Sequence, residues 1–248
     1  MKCKTTLTHR HFGNLISFAY SPDGKTIATG GDDGTVFLWD RASYIYTGMS
    51  INPQEIHGNW RAGWALDVHT LSSRPLPGGG YDTERTEFGE WVFQLKYRHD
   101  RTKIQLIAEV AANFITEKFA VDGHLILPYL KAILPIPPSD QNRDFQPVTE
   151  VAEEIGKLLS VPVRTDYLTK VKRTVPLKNL PDVKSKSEQL SGAFVVRSQD
   201  LKDQCVLLVD DLYDSRTTLT EVSKVLYEQG GVQHVLVLTL TRTRTGGN

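Results

Sequence analysis

Cysteine is nearly absent: Cys3 and Cys205 are the only two in 248 residues. That excludes a disulfide framework, and Cys205, at the head of an apolar run, reads as a reduced buried thiol, so a reducing cytoplasm is expected. Long apolar runs are absent too. No stretch approaches the ~18 apolar residues of a membrane-crossing helix, and Met1-Lys2-Cys3-Lys4-Thr5 lacks the apolar region of a secretory signal. Nor does one sign of charge dominate. Lys+Arg and Asp+Glu are both 29, so nothing global points to nucleic acid or an anionic membrane, and any anion site must be local. With 40% apolar and 23% charged residues, the chain can bury a full core, as one large domain or as one domain with an appendage.

What is present concentrates at Val206-Leu207-Leu208-Val209-Asp210-Asp211-Leu212-Tyr213-Asp214-Ser215-Arg216-Thr217-Thr218-Leu219. Four apolar residues that stop at two acids read as a buried parallel strand carrying charge to the carboxyl edge of a sheet, where open α/β folds put their ligands. From Thr217 to Gln229, Leu219, Val222, Val225 and Leu226 recur at helical spacing. The hydroxyl-rich loop thus falls at a helix N-terminus, a ready cradle for phosphate.

At these residues the chain resembles the type I phosphoribosyltransferases, whose fingerprint is an apolar strand, two adjacent acids, a short spacer and a Thr/Ser-Gly-x-Thr loop. The resemblance implies that Asp210 and Asp211 hold the ribose hydroxyls of phosphoribosyl pyrophosphate. Ser215, Arg216, Thr217 and Thr218 would wrap its 5-phosphate. It also implies Mg²⁺, reached by the two acids through ligand or water, and a nitrogen acceptor the sequence does not identify. Arg216 stands where the family has Gly, which would adopt a left-handed backbone freely; Arg adopts it at a steric cost but could give phosphate a bidentate contact. Asp214 matches the position of an acid that exchanges a proton with the base in purine-type relatives, and equally suits a helix cap with Ser215.

The order of parts over residues 56 to 244 is similar to the ComF branch, associated with DNA uptake. Leu134-Pro135-Ile136-Pro137-Pro138-Ser139 stands for the family's Val-Pro-Val-Pro strand and pyrophosphate loop, which makes Pro137 and Ser139 ligand contacts; Arg143-Asp144-Phe145-Gln146 follows, with Asp144 in place of Gly. Lys170, Lys172, Arg173, Lys178, Lys184 and Lys186 make a basic stretch where the family has a mobile loop that closes over substrate. From this loop Lys172, Arg173 and Lys178 would supply cations to the pyrophosphate. ComF proteins usually begin with a four-Cys zinc module, which two cysteines cannot supply, so zinc is not expected. A homodimer stays open, and nucleic acid is not indicated by the charge.

The implied fold is α/β, a doubly wound, mostly parallel sheet with a small hood. Helical patterns run over 86 to 97, 104 to 118 and 148 to 159; strands are expected near 132 to 136, 161 to 165, 206 to 209 and 235 to 240. The stretch 170 to 191 reads as irregular and the residues from Thr241 as a solvated tail. Asp67 and His69, two apart on a strand, share a face and read as a hydrogen-bonded structural pair before a metal or substrate site. Trp60, Trp64, Phe88, Trp91 and Tyr97 with Lys96, Arg98 and Arg101 could stack single-stranded nucleic acid, though such aromatics more often make core.

In front stands a different signature. Ile16 to Lys25 and Thr26 to Asp40, with Pro-Asp-Gly and Asp-Asp-Gly turns and a closing Trp39-Asp40, resemble one WD repeat of a β-propeller. A propeller needs roughly four to eight blades, so one copy cannot close and reads as a partly ordered remnant, with partner binding the sharper alternative. The expected organisation is 1–40 WD-like segment, 41–55 linker, 56–244 phosphoribosyltransferase-like domain and 245–248 tail.

Overall fold

The computed structural model describes residues 15–22, 26–32, 34–40, 49–138, 144–172, 183–214 and 216–244. The chain divides into two compact units, Met1–Ser50 and Ile51–Asn248. In the first, β1 (Leu15–Tyr20), β2 (Thr26–Gly31) and β3 (Val36–Asp40) form an antiparallel sheet in that order. Gly34 has a φ of 75° in the turn before β3, a left-handed position that glycine takes without steric cost.

Among the described residues of the second unit, five strands make the central sheet. These are β4 (Gln54–Glu55), β5 (Ala62–Val68), β10 (Leu130–Pro135), β13 (Cys205–Tyr213) and β14 (His234–Arg242), in the order β10-β13-β14-β5-β4. All neighbours are parallel except β4 on β5. A single parallel bridge, Ile133 to Val163, adds the segment after the third helix to the outer side of β10. The expected strand at 161 to 165 is thus one bridge. Small hairpins, β6 (Ser72–Pro75) with β7 (Tyr81–Glu84) and β8 (Ala120–Val121) with β9 (His124–Leu125), decorate the edges. A further pair joins β11 (Leu168–Lys170) and β12 (Phe194–Val196).

The described helices are α1 (Glu87–Arg98), α2 (Lys103–Glu117), α3 (Pro147–Leu159), α4 (Val183–Leu190) and α5 (Thr217–Glu228), with α4 packed on α5. Strand alternation sorts them by face. Val206, Leu208, Val235, Val237 and Ala65 cluster with Leu219, Val222, Val225 and Leu226 of α5. The alternate set, Leu207, Val209, Leu236, Leu238 and Leu66, is equally buried and belongs to the other face. There α1 packs on β14 and β5, and α3 on β10 and β13. The sheet is therefore parallel in its core and covered on both sides, which is why its strands read as continuous apolar runs.

Two expectations fail here. The stretch 170 to 191 is not irregular throughout, because Val183–Leu190 is helical with Leu190 buried. The solvated tail does not begin at Thr241: β14 runs on to Arg242 and Thr241 is fully buried, paired in register with Asp67. Threonine is polar but β-branched, so a strand accepts it where a hydroxyl partner exists, and Thr241 donates to the Asp211 carbonyl at 3.0 Å.

Candidate functional site

The connection from β10 goes outward, through α3 to Val163, whereas the next sheet strand, β13, lies on the other side of β10. The chain reverses direction between β10 and β13, and the crevice at their carboxyl ends is the topological switch point where open α/β sheets bind ligands. β10 ends first. Pro135 is level with Val209, and Ile136 donates to the Val209 carbonyl at 2.9 Å, so Asp210 and Asp211 overhang the shorter strand with Pro137 beside the gap.

Adjacent strand residues point to opposite faces. Asp210 continues the row of Val206 and Leu208 toward α5; Asp211 continues the row of Leu207 and Val209 toward α1. Lys96, in the last turn of α1, meets Asp211 there with Nζ 2.5 Å from Oδ2. Burial alone would pull the Lys96 ammonium down, but the Asp211 carboxylate outweighs it and the net direction is up. Asp210 has no such ion pair in the described contacts; its Oδ1 accepts the Asp211 backbone N–H at 2.8 Å. Burial first, and the charge of Asp211 second, push Asp210 up to about 7.

After the acids the chain turns into α5. Arg216 is the residue before the helix, with φ 50° and ψ −6°, a left-handed conformation that glycine adopts without steric cost, and its side chain is exposed. Thr217 is buried and Thr218 half-buried at the N-terminus of α5, where Arg216 gives no side-chain cap. Asp214 is exposed and accepts from the Thr243 hydroxyl at 3.3 Å, at the end of β14. Lys172 is exposed just beyond β11, next to Val171, which donates to the Ala193 carbonyl. Ser139, Arg143, Arg173, Lys178 and Ser215 lie outside the described residues, and the side chains of Lys184 and Lys186 are likewise not described.

The carboxyl edge also gathers residues that sequence reasoning had given other roles. Lys96 is read there as one cation among aromatics, yet it is the partner of Asp211. Asp67 and His69 take different partners instead of each other: Asp67 Oδ1 accepts from the Val68 N–H, its Oδ2 is buried without a partner, and His69 Nδ1 lies 3.5 Å from the Thr241 hydroxyl. Burial, then the charges of Arg85 and Lys96, hold His69 below the usual histidine range. Of the aromatics, Trp60 and Phe88 are core, while Tyr97 is exposed. The i+3 and i+4 spacing of Phe88, Val92 and Leu95 would have found α1, but nothing local marks Lys96 as its inward cation.

Among the described residues no group of three or more His, Cys, Asp or Glu side chains could hold a metal on its own. Two oxygen-donor acids beside a ligand crevice do fit Mg²⁺, which keeps several waters and takes its remaining ligands from substrate phosphates. At the opposite, amino edge of the sheet a cavity of about 440 Å³ opens between Arg61, Asp122, His124, Gln204, Cys205 and His234, remote from both acids. Arg61 and Asp122 pair across it, and burial pushes the Cys205 thiol up to about 11. No helix among the described residues is long and apolar enough to cross a membrane.

Residues 1–40 match the family model described as WD domain, G-beta repeat. Within that segment the chain is similar to the periodic tryptophan protein 2 homologs of Mus musculus, 54% identical over 33 residues, and Dictyostelium discoideum, 57% identical over 37. These alignments cover 13% and 14% of this chain and 4% of each relative. Among solved structures, the chain is similar to an adenine phosphoribosyltransferase from Thermoanaerobacter pseudethanolicus. The identity is 15% and the TM-score 0.37, over 70% of this chain and 95% of that one. A glutamine phosphoribosylpyrophosphate amidotransferase from B. subtilis matches at 13% identity and TM-score 0.36, over 87% and 36%. An orotate phosphoribosyltransferase from Francisella tularensis matches at 14% and 0.33, over 70% and 79%.

Proposed function

We propose that the second unit is a phosphoribosyltransferase-type protein that binds phosphoribosyl pyrophosphate with Mg²⁺ and transfers phosphoribose to a nitrogen acceptor in the cytoplasm. The observation that carries this is the conjunction at the switch point: two overhanging acids followed at once by a left-handed turn into a helix N-terminus. Asp210 and Asp211 accept from the ribose hydroxyls. The N-terminus of α5, with Thr217, Thr218 and Arg216, takes the 5-phosphate. Pro137 shapes the floor beside the pyrophosphate.

The acceptor nitrogen forms a bond to the ribose C1 as the bond from C1 to pyrophosphate oxygen breaks, and the nitrogen's proton passes to Asp214 or to water. Such a centre is oxocarbenium-like and needs positioning and charge neutralisation more than a strong base. Mg²⁺, held by Asp210 and Asp211 through ligand hydroxyls or water, supplies part of that neutralisation when bound.

Isothermal calorimetry of phosphoribosyl pyrophosphate with and without Mg²⁺ tests the proposal. Metal-dependent binding is expected, weakened at least about tenfold in the Asp210→Asn/Asp211→Asn protein, since each lost carboxylate removes a charge-assisted hydrogen bond. Equal affinity in that variant overturns it.

The exposed, left-handed Arg216 favours a second reading, a non-catalytic ComF-like accessory or nucleotide-sensing protein that keeps the fold. Arg216→Gly separates the two. Turnover gained in that variant marks an enzyme impaired by Arg216; binding lost marks Arg216 as the phosphate contact.

A further inference from the structure

The placement of Lys96 is built, not incidental. α1 is pinned at its start to the end of β5: the Thr86 hydroxyl donates to the Val68 carbonyl at 3.0 Å and accepts from the Gly89 N–H at 2.9 Å. Gly89 lies so close to this strand end that a Cβ would stand 2.6 Å from the His69 carbonyl oxygen and 3.0 Å from that of Val68. Seven residues later Lys96 reaches Asp211 on β13, two strands away. Seven residues of helix rise ~10 Å, and two strand spacings are ~10 Å, so α1 crosses the carboxyl edge from β5 to β13 and sets its cation above the diacid.

The Lys96 side chain is 31% exposed and that of Asp211 18%, so the pair is not sealed from solvent. An ammonium carries three N–H donors, and the described contacts of Lys96 are Asp211 and the face of Tyr97, 5.6 Å from Nζ to the ring centre. It has donors to spare for an incoming anion.

We infer that Lys96 is a specificity-determining residue: it recognises the anionic substituent on the carbon next to the hydroxyl that Asp211 accepts, an assignment that rests on the phosphoribosyl reading above. A hydroxyl bonded to Asp211 brings its neighbouring carbon within a few ångströms of Nζ. With the 2-hydroxyl of phosphoribosyl pyrophosphate on Asp211, that neighbour is C1 with its pyrophosphate. Ribose 5-phosphate offers the same diol and the same 5-phosphate but no anion at C1. Lys96 thus separates the activated sugar from its hydrolysed product, and does so from α1.

Calorimetry with phosphoribosyl pyrophosphate and with ribose 5-phosphate, both with Mg²⁺, on the full chain and on Lys96→Met and Lys96→Arg tests this. Wild type is expected to prefer the pyrophosphate. Lys96→Met should lose about tenfold or more for it, the scale of one charge-assisted contact, while ribose 5-phosphate changes by less than about threefold. Lys96→Arg should restore most of the preference. A merely structural ion pair predicts equal weakening for both ligands, and that result, or an unchanged ratio of affinities, overturns the assignment. Failure of wild type to bind either sugar phosphate overturns the phosphoribosyl reading itself and the role of Lys96 with it, a pattern distinct from the first because no variant is needed to see it.

Discussion

Asp210 and Asp211 are chemically identical neighbours, and the pleat alone makes them different. One faces Lys96 and the other faces the α5 side with no ion-pair partner among the described contacts. Burial and the adjacent charge raise Asp210 to about 7, above the ordinary Asp value of ~3.9 expected in the unfolded chain. The native state therefore binds this proton more tightly than the unfolded state. Its contribution to stability is complete below about pH 4 and is lost as pH rises through about 7. Urea midpoints taken without Mg²⁺ at pH 5, 6, 7 and 8 should fall across that window, and Asp210→Asn should remove a component on the order of 1–2 kcal/mol. Parallel profiles for wild type and variant would show that Asp210 titrates normally. The departure at Arg216 also belongs to this scale. The position was legible as one that wants glycine, and the left-handed φ of 50° is what such a turn imposes on whichever residue stands there.

At the scale of elements, α1 is the piece on which the crevice depends. Gly89→Ala would place a methyl against the His69 and Val68 carbonyl oxygens, which are backbone and cannot rotate away. Overpacking of this kind costs about 1–3 kcal/mol, or roughly 2–12 °C in melting temperature for a unit of this size. The helix should shift with Lys96, so the preference for phosphoribosyl pyrophosphate over ribose 5-phosphate should fall together with the melting temperature. A stable Gly89→Ala protein with unchanged preference would show that α1 is not what positions Lys96. The helix itself was legible, since Thr86 caps it and Phe88, Val92 and Leu95 are buried at helical spacing. Its path across the strand ends was not, because a crossing angle is decided by tertiary contacts such as Gly89 on β5 and leaves no periodicity in the chain. The same distinction explains β14. Val235 to Leu240 announce a strand by their apolar run, but Thr241 belongs to it through a hydroxyl bond to β13 that only the assembled sheet supplies. Helix α4 hid in a Lys- and Ser-rich stretch with weak amphipathic pattern, where packing of Leu190 beside Phe194 decides more than local propensity.

At the scale of the whole molecule, the two units differ in how they hold together. Every described buried hydrophobic side chain lies at Ile56 or later, whereas Ile16, Phe18 and Val36 in the first unit are 67%, 64% and 70% exposed. Three large apolar side chains left exposed on a three-stranded sheet add little to offset its ordering entropy. The second unit has a complete two-faced core of its own. A protein spanning 51–248 should therefore unfold in one cooperative transition within about 3 °C of the full chain and bind phosphoribosyl pyrophosphate within about twofold, because a unit with its own complete core folds by itself. Calorimetric melting and titration of the two proteins side by side decide this. A truncated chain that loses ligand affinity would give the WD-like segment a part in the site, and would move the function of the molecule from the switch point alone to an interaction module working with it.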